Sequence, residues 1–508
     1  MKSKNKKILL KILFKIFLVL NISLLLNFFV MNEIYSSTKK NTSSKSVKKT
    51  VSNTKKKLQP KKVISKKSKD NKKKKNSNKK KSRKNIKTVP FYSVVVDTNL
   101  SEGLKYMHII TGTNKLKHSV HIIEANLKEP TLSPIVLKAK NHSNELDKLQ
   151  NIICNFDTTN YDKVLCAINA NFWRAYSNRP IGPTVSNGEV IEMNTHKQWS
   201  SVFFDNTGIP HIDNFFMSAT LRKDGVQQFN INSVNRRNDS LGIVVYNKYA
   251  GDTIPYIPAR TVKKMLDELL TDTTYRDMTD SEFDTIQFLQ DIINNERLNT
   301  IEYKMPKLVL EYQNSPAVNI DIGCKVLSVD TTSSSLRVPD NGCIVSLGLG
   351  IPFDRIPKVG DLLILRYSTN TQSKTVFVNA VSGTPRLVRN GLAKHEAIEE
   401  GSRGRRFINR ALSRTAFGVD KDREKIYFAT IEPTYKGGST QGANLTQLAN
   451  IMKKIGCWDA INLDGGGSTI MVVDYKNVLW KKNPDASRRL SVGLGIIKKE
   501  ELLKNIFK

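Results

Sequence analysis

Of the 81 lysines and arginines in this 508-residue chain, 29 fall within residues 1–88, where only Glu33 and Asp70 oppose them. That crowding decides where a fold can form, because a segment with much like charge and little apolar surface cannot offset its ordering entropy. Residues 38–88, mostly Lys, Ser, Asn and Thr, therefore read as a disordered Lys-rich linker, extended by self-repulsion. Setting residues 1–88 aside brings the net charge from +35 to +8 over the other 420 residues, a balance suited to a globular domain with a sizeable core. No aromatic side chain stands between Thr38 and Thr88 to stack on bases. Nucleic acid is accordingly disfavoured as a partner, and an anionic membrane or wall surface is the expected contact of the linker.

Residues 1–37 carry a targeting pattern. Lys2, Lys4, Lys6 and Lys7 precede an apolar run from Ile8 to Val30, broken by Lys11 and Lys15. The uncharged part, Ile16 to Val30, has the length of a signal-peptide core and is short for a spanning helix, which needs about 20 residues. A signal peptide and a tilted membrane anchor both fit. The expectation is a folded part that is extracytoplasmic, either anchored at the cell membrane or secreted.

Cysteines and histidines give no metal signature. Cys154, Cys166, Cys324, Cys343 and Cys457 include no Cys-x-x-Cys pair, and the close pair His118 and His121 has no cysteine nearby, which argues against a structural zinc site. Cys324 and Cys343 are spaced to close a loop of about twenty residues, a disulfide worth about 3 kcal/mol on the chain-entropy model.

From residue 89 onward short β-branched and apolar runs alternate with turn signals. "FYSVVV", "HSVHIIEANL", "SPIVLKA", "KVLCAIN", "SVFFD" and "LGIVVYN" predict strands, and Asn187-Gly188 and Asn390-Gly391 predict tight hairpins. Apolar residues at three and four spacings predict a helix in "TQLANIMKKIG", ending at Gly456, and a helical pair from Arg260 to Glu296. The predicted class is α+β: a strand-dominated mixed sheet domain over residues 89–508, covered by helices, with a helical insertion at about 254–310.

The chemistry concentrates in "WDAINLDGGGSTIMVV". A buried strand delivers Asp464 to Gly465, Gly466 and Gly467, and Ser468 follows. Consecutive glycines are costly in entropy and suit a place where a ligand or another backbone comes close. Their N–H groups form a candidate nest for phosphate oxygens, bracketed by an acid and a hydroxyl. Around this turn, in order, stand "VSGTPRLVRNG", "SRTAFGVD", "IYFATIE", "GANLTQLANIMKKIGCWDAINLDGGGST" and "NPDASRRLSVGLGII". This order and spacing resemble the phosphodiester glycosidase family, of the mannose 6-phosphate uncovering-enzyme type, whose members cleave a sugar from a sugar-1-phosphate diester. The resemblance is specific over Val376 to Lys498. It continues more weakly through "CAINANFWRAYSNRPIGPTVSNGEVI" and "SVNRRNDSLGIVVYN".

Carried over by position, the resemblance implies Asp464 and Arg414 as catalytic groups, with Asn169, Asn171, Thr415, Gly465, Gly466, Gly467, Ser468 and Arg488 as substrate-binding groups. Gly182, Gly383 and Pro385 belong to the same pattern. Arg414 is a fork for the phosphodiester anion, and the two asparagines are partners for sugar hydroxyls, beside the aromatic faces of Phe172 and Trp173. A phosphate monoester is a good leaving group, so one carboxylate suffices: Asp464 as the base for water or as the stabiliser of an oxocarbenium-like centre. Glu396, Glu399, Glu400 and Glu432 are spare carboxylates in the same half, and the acids of "HEAIEE" read rather as a solvated helix face. The expected substrate is a phosphate-linked glycan. No cofactor is required, and one divalent cation at Asp464 stays open. The rival readings are a non-catalytic sugar-phosphate or wall-binding module and a two-metal phosphodiesterase. The single His-x-Asp, His211 and Asp213, disfavours the second.

Overall fold

The computed structural model describes residues 88–139, 142–159, 162–174, 177–223, 227–254, 301–331, 335–435, 438–480 and 487–499. The export or anchor segment, almost all of the Lys-rich linker and the predicted helical pair lie outside these residues. Among the described residues no helix is long and apolar enough to cross a membrane.

Strands dominate. An eight-stranded sheet runs in the order Pro90–Ser101, Leu104–Thr113, Lys117–Asn126, Lys425–Glu432, Arg414–Val419, Asp459–Asn462, Arg386–Arg389, Leu392–Ala393. The period of two in its sequences sets its faces. Ile123 and Ala125 point to one core with Phe417, Phe428, Ile461 and Leu463, and Val120 and Ile122 point to another with Ala416, Ala429 and Ala460. A five-stranded sheet covers the first face. It is ordered Lys476–Asn477, Met471–Val473, Lys163–Asn169, Val492–Lys498, Leu132–Lys138, and it contributes Cys166, Ile168, Leu494 and Ile496. The helix Leu445–Lys454 covers the second face with Leu445, Leu448, Ile451 and Met452. Asn444 and Gln447 close a capping box at its start, and Gly456 follows its end at φ +112°. The helix Leu149–Thr159 packs Leu149, Ile152 and Ile153 on the outer side of the five-stranded sheet. These two sheets, antiparallel at every strand pair, and their helices form a helix–sheet–sheet–helix stack, in which each buried Leu or Ile contributes roughly 1.5–3 kcal/mol. The parallel pairing that makes the domain mixed is Gln227–Val234 with Ile243–Tyr246.

Both Asn-Gly pairs turn hairpins, with φ of +48° and +80° at Asn187 and Gly188 and +50° and +74° at Asn390 and Gly391, as that turn type requires. The sequence did not announce a closed seven-stranded barrel. Its order is Met217–Lys223, Gln227–Val234, Ile243–Tyr246, Gly342–Ser346, Lys307–Tyr312, Asp321–Asp330, Leu362–Thr369, and a further five-stranded sheet shares its apolar core. The barrel also corrects the disulfide expectation. Cys324 and Cys343 are free, as are the other three cysteines. They face the barrel core from strands on either side of Lys307–Tyr312, opposite Tyr312 and Leu310. Two strand spacings, about 9–10 Å, exceed the span of a disulfide.

Candidate functional site

The Asp464 turn lies where the two stacked sheets meet. After Asp459–Asn462, Leu463 N donates to Thr415 O (2.9 Å), and Asp464 N then donates to Ala170 O (3.0 Å) in the other sheet. Asn169 locks this crossing. Its Oδ1 accepts from Thr415 Oγ1 (2.8 Å) and Ile470 N (3.1 Å), and its Nδ2 donates to Asp464 O (2.6 Å). Only 1% exposed, Asn169 has both polar atoms of its side chain committed to holding the turn, as has the Thr415 hydroxyl. In this structure Asn169, expected to meet sugar hydroxyls, is bonded to protein partners that hold the turn.

Gly465 and Gly466 each have a local reason, and Gly467 faces Arg488 at ordinary contact distance. A Cβ at Gly465 would lie 2.9 Å from Ser413 O and 3.8 Å from Arg414 Cδ. Gly466 adopts φ +62°, in the left-handed region, while its N–H donates to Ser413 O (2.9 Å). A Cβ at Gly467 would sit 3.5 Å from Arg488 Cζ. The turn thus passes the backbone and Cδ of Arg414 at Gly465 and the Arg488 guanidinium at Gly467.

Burial pushes the Asp464 carboxyl up to about 6, against the opposing pull of the Ser468 hydroxyl, the Gly465 N–H (2.8 Å) and the Arg488 charge. Arg414 is 2% exposed and rests on backbone carbonyls: Nε donates to Ala443 O (2.9 Å) and Nη2 to Phe407 O (2.7 Å) and Arg410 O (3.2 Å). Among the described residues no carboxylate pairs with it. Burial lowers its pKa to about 10, so it stays cationic at neutral pH.

Aromatic rings extend the site. The Phe407 ring centroid lies 5.4 Å from the Arg414 guanidinium carbon, Phe172 meets Phe407 edge-on at 6.2 Å and Trp199 at 5.4 Å, and His196 meets Trp199 at 4.7 Å. Beside Phe172, Asn171 donates through Nδ2 to Thr184 Oγ1 (2.9 Å) and Ile181 O (3.3 Å), leaving its buried Oδ1 with no protein partner among the described residues. Trp199 Nε1 is likewise unpartnered. Both unpartnered atoms lie buried beside this aromatic cluster.

Glu400 overturns the solvated helix face expected of it. "HEAIEE" forms turns, not a helix. Glu396 pairs with Arg389 (2.6 and 2.7 Å), and Glu399 is exposed. Glu400 turns inward to 2% exposure, accepting on Oε1 from Ser200 Oγ (2.6 Å) and Arg386 N (2.8 Å). Its Oε2 has no protein partner among the described residues, and burial raises its pKa. It lies against the strand Arg386–Arg389, which neighbours the strand leading to Asp464. The signal in the sequence was Gly401, whose φ of +78° ends the turn where a helical face would continue. His211 and Asp213 fall on the strand Pro210–Asp213, with His211 held between Asp205 (3.2 Å) and Arg423 (3.1 Å).

Residues 319–497 match the model of the phosphodiester glycosidase family, which bears out the resemblance read from the motif order and takes in the Asp464 turn, Arg414, Glu400 and Arg488. The chain is 34% identical over 108 residues to N-acetylglucosamine-1-phosphodiester alpha-N-acetylglucosaminidase from Mus musculus, covering 19% of this chain and 20% of that protein. It is 33% identical over 155 residues to the Bos taurus protein of the same name, covering 28% of each. The matches thus span less than a third of these relatives' length. A hypothetical protein from Synechocystis shares the fold, with a TM-score of 0.54 at 20% identity over 80% of this chain and 64% of that one.

Proposed function

We propose that the chain is a hydrolase that cleaves the sugar C1–O bond of a sugar-1-phosphodiester. The observation that carries this reading is a raised carboxyl, Asp464, on a glycine turn that passes the side chain of Arg414, a buried arginine without a carboxylate partner among the described residues, and the Arg488 guanidinium beside Gly467. A phosphodiester supplies the missing anion: its non-bridging oxygens meet Arg414 and Arg488, and the sugar lies along Phe172 and Trp199 beside Asn171. Above pH 6 Asp464 is ionised and serves as the base for the attacking water or as the counter-charge of the oxocarbenium-like centre. Glu400, kept protonated to higher pH than an ordinary glutamate, is the second carboxyl and hands a proton to the departing phosphate oxygen. The C1–O bond breaks with its electron pair going to phosphate, and water supplies the new C1–O bond.

The same reading places the reaction outside the cytoplasm, on a phosphate-linked cell-surface glycan or wall polymer. Residues 1–37 serve as signal or anchor, and the Lys-rich linker of residues 38–88 keeps the domain on an anionic membrane or wall surface. The mammalian relatives act on N-acetylglucosamine phosphodiesters by name, which makes that sugar the first to try.

The test is incubation of the full chain with a panel of sugar-1-phosphate diesters in ¹⁸O-water. Phosphomonoester released without ¹⁸O establishes C–O cleavage, and ¹⁸O in the phosphate means P–O cleavage and defeats the proposal. Binding of sugar phosphate with no release of either product leaves the binding-module reading in its place.

A further inference from the structure

His118 and His121 stand three residues apart on one strand and face opposite sides of the sheet. His118 Nδ1 lies 2.9 Å from Gln441 O. His121 turns the other way, into a buried group assembled from three strands. It stands directly opposite His108, with the two rings face to face at 4.0 Å between centroids and 9° between planes. His121 Nε2 is 2.9 Å from Glu432 Oε1. Ser119 Oγ lies 2.8 Å from His108 Nε2 and 3.4 Å from Glu432 Oε1. One ligand atom from each of His108, His121 and Glu432 falls within 4.8 Å of the other two.

We infer that His108, His121 and Glu432 bind one divalent transition-metal ion of the zinc type, with Ser119 Oγ or water in the fourth position. Two imidazole nitrogens and one carboxylate are a familiar three-residue set for such an ion and leave a position open. Calcium and magnesium, which want six or more oxygens, are a poor match. In a four-coordinate site with metal–ligand bonds of about 2.1 Å the donors sit about 3.4 Å apart. Loading therefore draws in any pair wider than that and tilts one ring out of the stack so that both nitrogens aim at one point. The outer contacts that orient such ligands are already in place. The Tyr106 hydroxyl lies 2.8 Å from His121 Nδ1, which leaves Nε2 for the metal, and Trp480 N donates to Glu432 Oε2 (2.9 Å). The group is distinct from the Asp464 turn yet joined to it by one cross-strand row, Thr415–Thr430–His121–His108. His121 stands two strands, about 10 Å, from Thr415, so the ion would stiffen the sheet end that carries the turn.

The experiment is titration of the EDTA-stripped full chain with cobalt(II), followed by visible absorption and then by displacement with zinc(II). The expected result is one cobalt per chain, with the strong visible bands of a low-coordinate site, abolished by one equivalent of zinc. Glu432→Gln, which keeps the shape and the contact with Trp480 N, and His108→Asn should each weaken uptake more than about 100-fold, beyond the 10–100-fold of an outer-contact change. His211→Asn, on a different strand, should leave uptake intact. No stoichiometric uptake by the wild type, uptake unchanged in the Glu432 and His108 variants, or equal loss in the His211 variant overturns the inference. None of these readouts depends on hydrolysis.

Discussion

In the seven-stranded barrel the buried Arg237 meets the buried Glu302 directly, donates to Ser346 Oγ (2.8 Å) and Gly242 O (2.6 Å), and shares that carboxylate with the Tyr246 hydroxyl (2.9 Å). At the Asp464 turn the equally buried Arg414 finds only carbonyl oxygens, and Glu400 Oε2 and Asn171 Oδ1 find no protein partner among the described residues. Burial costs a charge the same in both places. The barrel offsets that cost internally and so fixes its own shape. The turn leaves it open, which has a use only when a ligand brings the complementary groups.

The comparison breaks most visibly if the two arginines respond alike. Arg237→Met strands Glu302 and should cost about 3–5 kcal/mol in denaturant unfolding, with turnover per folded molecule unchanged. Arg414→Met should lower kcat/KM for a sugar-1-phosphodiester about 100- to 1000-fold, with a much smaller loss of stability. If Arg414→Met unfolds the protein and spares its activity, the distinction fails.

A pH series sharpens it. With Asp464 active as the anion, the rate should fall about tenfold per pH unit below its pKa of about 6, and with Glu400 as the proton donor it should fall again at higher pH once that carboxyl ionises. A profile flat from pH 5 to 8 would remove Asp464 from the chemistry.

Stability carries the same signature with the opposite sign. The carboxyl is raised in the folded state, so between about pH 4 and 6 the folded chain keeps a proton that the unfolded chain releases, and stability declines through that window. At neutral pH Asp464→Asn should thus raise unfolding stability by about 2 kcal/mol, after allowing for partial exposure, while abolishing turnover. The smallest effects belong to the glycines. Gly466→Ala should cost about 1 kcal/mol through its positive φ. Gly467→Ala, meeting Arg488 at ordinary contact distance, should raise KM only a few-fold.

Features governed by neighbours in the chain were legible from residue types. Lys163–Asn169 coincides with the strand read from "KVLCAIN", both Asn-Gly pairs turn their hairpins, and Gly456 ends its helix. The Asp-Gly-Gly-Gly turn was legible for a different reason, since three consecutive glycines make sense only where something approaches the backbone. Glu400 was not legible, because its inward turn depends on Ser200 and the Arg386 amide, one of them 200 residues away.

By itself the sequence determined the periodicities, the turn chemistry, the partition of charge that concentrates 29 of the 81 lysines and arginines in residues 1–88, and the motif order of the C-terminal half. Those follow from side-chain chemistry and from torsions a few residues long. Only the tertiary structure decided that the barrel closes, that Cys324 and Cys343 stand two strands apart, that Asn169 is spent holding the Asp464 turn, and that His108, His121 and Glu432 share one buried pocket. Each of these depends on the register between strands distant in sequence. Register is set by the packing of whole apolar faces against one another, a quantity that no single segment contains.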